Sequence, residues 1–137
     1  MMSAKELVKA FYDSDIANDS NIVSEFFHKD CELHWSSSKG FKLLNYDDIV
    51  DFFEGTRKSF DSLRFEFTHF IEENNTVITR HTLFVNPIEN PDSEVVLARF
   101  CSIWEVKNNK LYRGYEISQL ADENHEKAMS SYAERKI

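Results

Sequence analysis

The chain has 137 residues, of which 42% are hydrophobic, with twelve Phe, three Gly and two Pro. This is enough apolar material for one core and too little Gly and Pro for a linker-rich or disordered chain, so we expect a single domain over residues 1–137. The net charge of −8 disfavours a nucleic-acid partner, because affinity for phosphate backbones depends on clustered Lys and Arg.

The N-terminus begins directly in an amphipathic pattern and lacks the apolar core of a signal peptide. No apolar run approaches the ~20 residues that span a bilayer. We therefore expect no membrane contact and a cytoplasmic location. In that compartment, Cys31 and Cys101 are expected to be reduced, buried thiols rather than a disulfide.

Helix signals dominate the first half of the chain. Ser3 with Glu6 three residues later has the capping-box pattern, and the helix that it opens is predicted to end near residues 18–19. Ser20 or Asn21 caps a second, shorter helix that carries apolar residues up to position 27. A third helix begins at Asn45 or Asp47 and presents Phe53 on its apolar face.

A strand is predicted over residues 30–37, between the second and third helices. Its odd positions, Cys31, Leu33 and Trp35, are apolar and alternate with polar residues, so the odd face is predicted to point inward. Residues 36–42 are predicted to form a polar turn.

Two long hairpins follow. The first pairs residues 63–72 with 77–86 around Asn74-Asn75, and its more apolar odd face carries His69, His81 and Leu83. If this loop has odd length, His69 and His81 face each other.

The second hairpin joins residues 95–106 to 111–119 through Asn108-Asn109, since Asn tolerates the positive φ that such turns need. Its first strand presents Phe100, Ser102 and Trp104 inward. The facing of the last strand stays open: a two-residue turn places Arg113 on the Trp104 face, and a three-residue turn places Glu116 there. The tail, residues 121–137, is polar and compatible with a helix.

The order helix, short helix, strand, helix and two hairpins resembles the NTF2-like superfamily in its SnoaL-like branch, over residues 4–120. Three stretches carry the resemblance: Phe26-Phe27-His28-Lys29-Asp30, Tyr46-Asp47-Asp48-Ile49 and residues 104–111. In the last of them, Asn109 stands where the family usually has Gly. The resemblance implies an α+β, cone-shaped (cystatin-like) barrel, in which a strongly bent, mostly antiparallel sheet wraps around N-terminal helices and leaves a pocket. It also implies a homodimer through the outer face of the sheet.

Two branches of the superfamily offer residue roles. Alignment with limonene epoxide hydrolase-like members places Glu116 at the last Asp of an Asp-Arg-Asp set, His81 at the Arg and Leu83 at the first Asp, so the set is broken. Alignment with ketosteroid isomerase-like members places Trp35 at the general base, which disfavours that chemistry. The first alignment favours an inward Glu116.

An aromatic cavity for an unknown small apolar molecule is therefore predicted. Its walls are expected to be Leu33, Trp35, Phe53, Leu83, Phe100 and Trp104, and its polar lining His69, His81, Ser102 and Glu116. Glu116 and His81 would be the catalytic acid–base pair, although a histidine on an apolar strand is more often a hydrogen-bonded core residue. No metal-ligand spacing and no glycine-rich phosphate loop occurs, so no metal and no cofactor is predicted.

Three hypotheses stay open. The first is a cofactor-free isomerase, cyclase or hydrolase that uses Glu116 and His81. The second is a non-catalytic carrier or sensor of the same kind of molecule. The third is a dimeric interaction module whose cavity is filled by Trp35 and Trp104.

Overall fold

The structure is a computed structural model that describes residues 2–121, 125–134 and 136–137. The described residues form four helices and six strands: α1 (Ala4–Asp13), α2 (Ile22–Phe26), β1 (Phe27–Ser37), β2 (Gly40–Asn45), α3 (Tyr46–Ser59), β3 (Phe60–Glu73), β4 (Thr76–Pro87), β5 (Val95–Lys107), β6 (Lys110–Leu120) and α4 (His125–Ala133). No helix in this part of the chain is long and apolar enough to cross a membrane.

All six strands belong to one sheet in the order β2-β1-β6-β5-β4-β3. Only β1 and β6 pair in parallel, and every other neighbouring pair is antiparallel. The N-terminal helices cover one face of the curved sheet, and the apolar core lies between them. The predicted α+β fold, a bent and mostly antiparallel sheet around helices, is confirmed.

Helix α1 begins as predicted. The Ser3 hydroxyl accepts a hydrogen bond from the Glu6 backbone N–H, and the Glu6 carboxylate accepts one from the Ser3 N–H. The helix ends earlier than predicted, at Asp13, because Ser14 turns extended and donates its hydroxyl to the Phe11 carbonyl. Residues 15–19 then form turns closed by the Asp15 carbonyl.

The turn predicted over residues 36–42 is shorter than expected, since only residues 38–39 separate β1 from β2. Residues 40–45 form strand β2, which pairs antiparallel with β1 from Ser37 opposite Gly40 to Glu32 opposite Asn45. The turn is tighter than expected because Gly40 has a φ of 105°, which returns the chain within two residues. Asn45 then caps α3 in a second capping box, with Asp48.

A bulge separates two parts of the β3–β4 hairpin. Phe67 pairs with His81, but His69 pairs with Arg80, so Thr68 is the extra residue in β3. Because neighbouring residues on a strand point to opposite faces, the bulge moves His69 to the face that carries Arg80. The two histidines therefore do not face each other.

In the β5–β6 hairpin, Glu116 points inward as the family alignment favours, but the reason is a bulge in β6 rather than a three-residue turn. Asn108 and Asn109 both have left-handed φ values, 53° and 60°, in a two-residue turn. Val106 pairs with Leu111 and Glu105 with Arg113, so Tyr112 is a bulged residue. This one extra residue reverses the facing of the rest of β6 and places Glu116 opposite Ser102.

The C-terminal helix α4 lies against the outer face of the sheet, where the Arg80 guanidinium carbon is 3.7 Å from the centre of the Tyr132 ring. Arg80 also donates to the Ser131 hydroxyl, and Arg99 packs near the same ring. The predicted helical tail is thus present, while residues 122–124 and 135 lie outside the described residues. Cys101 is exposed on this outer face, which corrects the expectation of two buried thiols.

Candidate functional site

A cavity of about 220 Å³ lies between the concave face of the sheet and helices α1 and α3. Most of its wall is apolar and aromatic, as small-molecule sites usually are. Eight of the ten residues predicted from the sequence line it: Leu33, Trp35, Phe53, His81, Leu83, Phe100, Trp104 and Glu116. Ser102 lies behind Glu116, and His69 lies outside the cavity because of the bulge at Thr68.

Glu116 is the acidic group of this wall. It sits opposite Ser102 on β5 and Trp35 on β1, and the Ser102 hydroxyl donates to Glu116 Oε2 at 2.7 Å. The residue is half-buried, and part of its side chain faces the cavity. Burial raises the pKa of Glu116 to about 7, and the bond from Ser102 lowers it in part. The carboxyl can therefore take up or release a proton near neutral pH.

Tyr12 of α1 adds a buried hydroxyl beside this carboxyl. The indole N–H of Trp104 donates to the Tyr12 oxygen at 2.9 Å, and Ser102 and Thr79 are hydrogen-bond neighbours of the same hydroxyl. Burial, helped by the charge of Glu116, raises the pKa of Tyr12 far above its usual value. Tyr12 is therefore a permanent hydrogen-bond donor rather than a base.

His81 is almost completely enclosed, at 1% exposure. Its ring stacks on Phe100 with centroids 5.2 Å apart and an interplanar angle of 7°. Its Nδ1 lies 3.1 Å from the Thr79 hydroxyl oxygen. Burial lowers the pKa of His81 to about 3, because no nearby acid compensates the cost of desolvating an imidazolium. His81 is therefore neutral at physiological pH.

Glu116 and His81 do not form the predicted pair. Strand β5 separates β6 from β4, and His81 lies opposite Phe100 rather than Ser102. Among the described residues, the hydrogen bond of Glu116 goes to Ser102 and that of His81 goes to Thr79. A neutral imidazole with so low a pKa also cannot exchange protons with a carboxyl near pH 7. The two residues both line the cavity but do not hydrogen-bond to each other.

Five polar residues of the described cavity wall were absent from the sequence prediction: Tyr12, Ser37, Lys39, Thr56 and Ser118. Tyr12 lies on the buried, apolar face of α1, and its hydroxyl needs a partner there. Ser118 accepts a 2.8 Å hydrogen bond from the Trp35 indole N–H. Ser118 could have been found, since it lies two residues beyond Glu116 and therefore on the same strand face. Within the described residues, no cluster of three or more His, Cys, Asp or Glu could hold a metal ion.

The raised pKa of Glu116 predicts a pH-dependent cost in stability. The carboxyl takes its proton at about pH 7 in the fold and at 4.5 in a model peptide, so rising pH stabilises the unfolded chain between these values. Glu116→Gln removes this effect, and its advantage over the wild type should grow from near zero at pH 4 to about 3 kcal/mol at pH 8. Urea unfolding at both pH values measures it, and a difference independent of pH would contradict it.

Comparisons with known proteins agree with this architecture. A family model described as SnoaL-like domain matches residues 8–114. No curated protein sequence matches the chain.

Solved structures share the fold at low sequence identity. IdmH of Streptomyces antibioticus, to which polyketide cyclase activity is ascribed, is 11% identical, with a TM-score of 0.68 over 85% of this chain and 92% of its own. A protein of ketosteroid isomerase-like fold from Catenulispora acidiphila is 11% identical, with a TM-score of 0.67 over 85% and 87%. An LEH-like epoxide hydrolase of M. tuberculosis is 14% identical, with a TM-score of 0.64 over 84% and 81%. Because the family model covers most of the chain, the chain belongs to the SnoaL-like domain family, and its bent sheet has the NTF2-like fold.

Proposed function

We propose that the chain binds a small, largely apolar carbonyl compound in this cavity and moves a proton on it without a cofactor, as an isomerase or cyclase does. The observation that supports this most is the single carboxyl with a pKa near 7 in an aromatic wall. A general base works best when its pKa lies near the working pH, and exclusion of water strengthens its effect on a bound C–H acid.

An epoxide hydrolase activity is less well supported. One structural neighbour is an LEH-like epoxide hydrolase, but Leu83, which the family resemblance places at the first Asp of the limonene epoxide hydrolase set, is an apolar cavity residue here. Without a second acid among the described cavity residues, a water molecule would have to be activated by Glu116 alone. Proton exchange at carbon requires fewer acidic groups in the site, since one carboxylate suffices.

The test is deuterium incorporation into 2-tetralone, an enolisable bicyclic ketone, followed by proton NMR in D₂O. Wild-type protein should accelerate loss of the α-proton signal over buffer, and the non-enolisable ketone benzophenone should compete if it occupies the same cavity. Binding of 2-tetralone without acceleration would instead support a carrier or sensor. Failure of both ketones to bind would support an interaction module.

We also propose a homodimer through the outer face of the sheet. A cross-strand row of residues on that face includes exposed Leu43, Tyr115, Ile103 and Ile78. Ile117, at 69% exposure, lies beside this row on β6. Exposed apolar surface of this kind is characteristic of protein interfaces.

Sedimentation velocity tests the dimer. The wild type should sediment as a dimer, and Ile117→Glu should shift it to the monomer because a charge would be buried in the interface. Ile88→Glu is the matched control, since Ile88 is an exposed apolar residue in the loop after β4. A monomeric wild type, or equal effects of both changes, would contradict this interface.

A further inference from the structure

One ring nitrogen of His81 has no hydrogen-bond partner among the described residues. Its Nδ1 is next to the Thr79 hydroxyl, and in the part of the chain that the structure describes no protein group hydrogen-bonds its Nε2. The side chain is 99% buried among rings and lines the cavity. Because His81 lines the cavity, Nε2 is the ring nitrogen left for a molecule bound there.

The neighbouring hydroxyls indicate which ring nitrogen of the neutral His81 imidazole carries the proton. The Trp104 N–H donates to the Tyr12 oxygen, so the Tyr12 hydroxyl hydrogen is free to be donated onward to Thr79. The Thr79 hydroxyl, having accepted that bond, can donate its own hydrogen to His81 Nδ1. This order uses each hydrogen once and leaves the proton of the neutral imidazole on Nε2. The Ser102 hydroxyl uses its own hydrogen in the bond to Glu116, so it does not donate one to Tyr12.

We propose that His81 Nε2–H donates a hydrogen bond to the carbonyl oxygen of the ligand, with Thr79 and Tyr12 as positioning residues that hold this tautomer. The role rests on the proposed function and narrows the ligand to one that presents an oxygen acceptor against the Phe100 side of the cavity. A carbonyl oxygen can only accept hydrogen bonds, so it can bond Nε2 only in the tautomer that carries the hydrogen on Nε2.

Such a donor complements Glu116 chemically. When the carboxylate of Glu116 removes a proton from the carbon next to the carbonyl, the C–H electrons move into a carbon–carbon double bond and negative charge develops on the oxygen. A donor fixed in an aromatic, water-poor wall stabilises that charge without reorganising. Because the imidazole is neutral, it stabilises the enolate by hydrogen bonding and does not need to give up its proton. The protonated Glu116 then returns this proton, or one exchanged with solvent, to a carbon of the enolate.

The first experiment reads the tautomer without any ligand. Nitrogen-15 NMR of protein labelled at histidine should show His81 neutral and protonated at Nε2 from pH 5 to 9. Thr79→Val removes the donor to Nδ1 and should give a mixture of tautomers or the Nδ1–H form. Wild-type protein with the proton on Nδ1 would overturn the proposal.

The second experiment compares 2-tetralone with tetralin, a hydrocarbon of the same ring skeleton that lacks the oxygen. His81→Phe keeps an aromatic ring in the wall, and we expect it to lower the preference for the ketone about tenfold, the equivalent of one hydrogen bond, while tetralin still binds. His69→Phe, outside the cavity, should leave the preference unchanged. A His81→Phe variant that keeps the full preference would overturn the proposal. If the preference depends on His81 but no proton exchange occurs, the proposed catalysis fails and the hydrogen-bond role stands.

Discussion

Replacing Glu116 with Gln is expected to slow the exchange of the α-protons of 2-tetralone by roughly 10²–10⁴-fold, the usual contribution of a positioned general base. Gln has nearly the same shape and can still accept the hydrogen bond from Ser102, so the cavity should keep its form. Only the ability to take a proton is lost. Binding of the ketone should therefore change little while its exchange nearly stops.

The pH profile gives this prediction a second readout. The wild-type exchange rate should rise with pH and level off above about 7, because only the ionised carboxylate accepts the proton and burial raises the pKa of Glu116 to that value. The residual rate of Glu116→Gln should lack this inflection. Glu105→Gln, on the same sheet but at an outward position of β5, is the matched control and should behave as the wild type. Equal loss in both variants, or none in Glu116→Gln, would remove Glu116 from the mechanism.

Replacing Gly114 with Ala should destabilise the fold by about 3 kcal/mol, at the upper end of the usual cost of overpacking. A Cβ atom at this position would lie 2.5 Å from Trp104 Cζ3 and 2.8 Å from Leu33 Cδ1. The indole cannot move aside easily, since its N–H is bonded to Tyr12 and its ring packs on Phe11 and Phe27. Urea unfolding measures the loss.

A second Gly-to-Ala change provides the control. Gly55 lies inside α3, and a Cβ there would meet nothing within 4 Å. Gly55→Ala should therefore stabilise the protein by about 1 kcal/mol through helix propensity alone. If both alanines acted alike, the close packing of Trp104 over Gly114 would not be what makes glycine necessary there.

Periodic patterns predicted most of the fold. The capping residues Ser3 and Asn45 and the alternation in β1 and β5 placed the helices and the inward strand faces correctly, because these signals depend on neighbours in the sequence. The predicted cavity wall followed from the same alternation. Strand β2 was missed since its residues are exposed and carry no clear alternation.

The register of the hairpins could not be read in the same way. A bulge depends on contacts between strands. The residue types around Thr68 and Tyr112 do not distinguish a bulged residue from a paired one. For this reason His69 was predicted in the cavity, and the facing of Glu116 had to be taken from a family resemblance. Tyr12 was missed because its partners, Trp104 and Ser102, lie about ninety residues away and only meet it in the fold.

The bulge at Tyr112 also makes the site sensitive to a change in chain length that leaves every functional residue in place. Deleting this one residue would restore plain pairing after the turn and exchange the two sides of the last strand, so that Ile117 would enter the hollow and Glu116 would leave it. Relatives that share all the cavity residues can thus differ in activity when the number of residues between this turn and the carboxylate changes by one. Sequence alignments of this family should therefore place gaps in this hairpin by strand facing as well as by residue similarity.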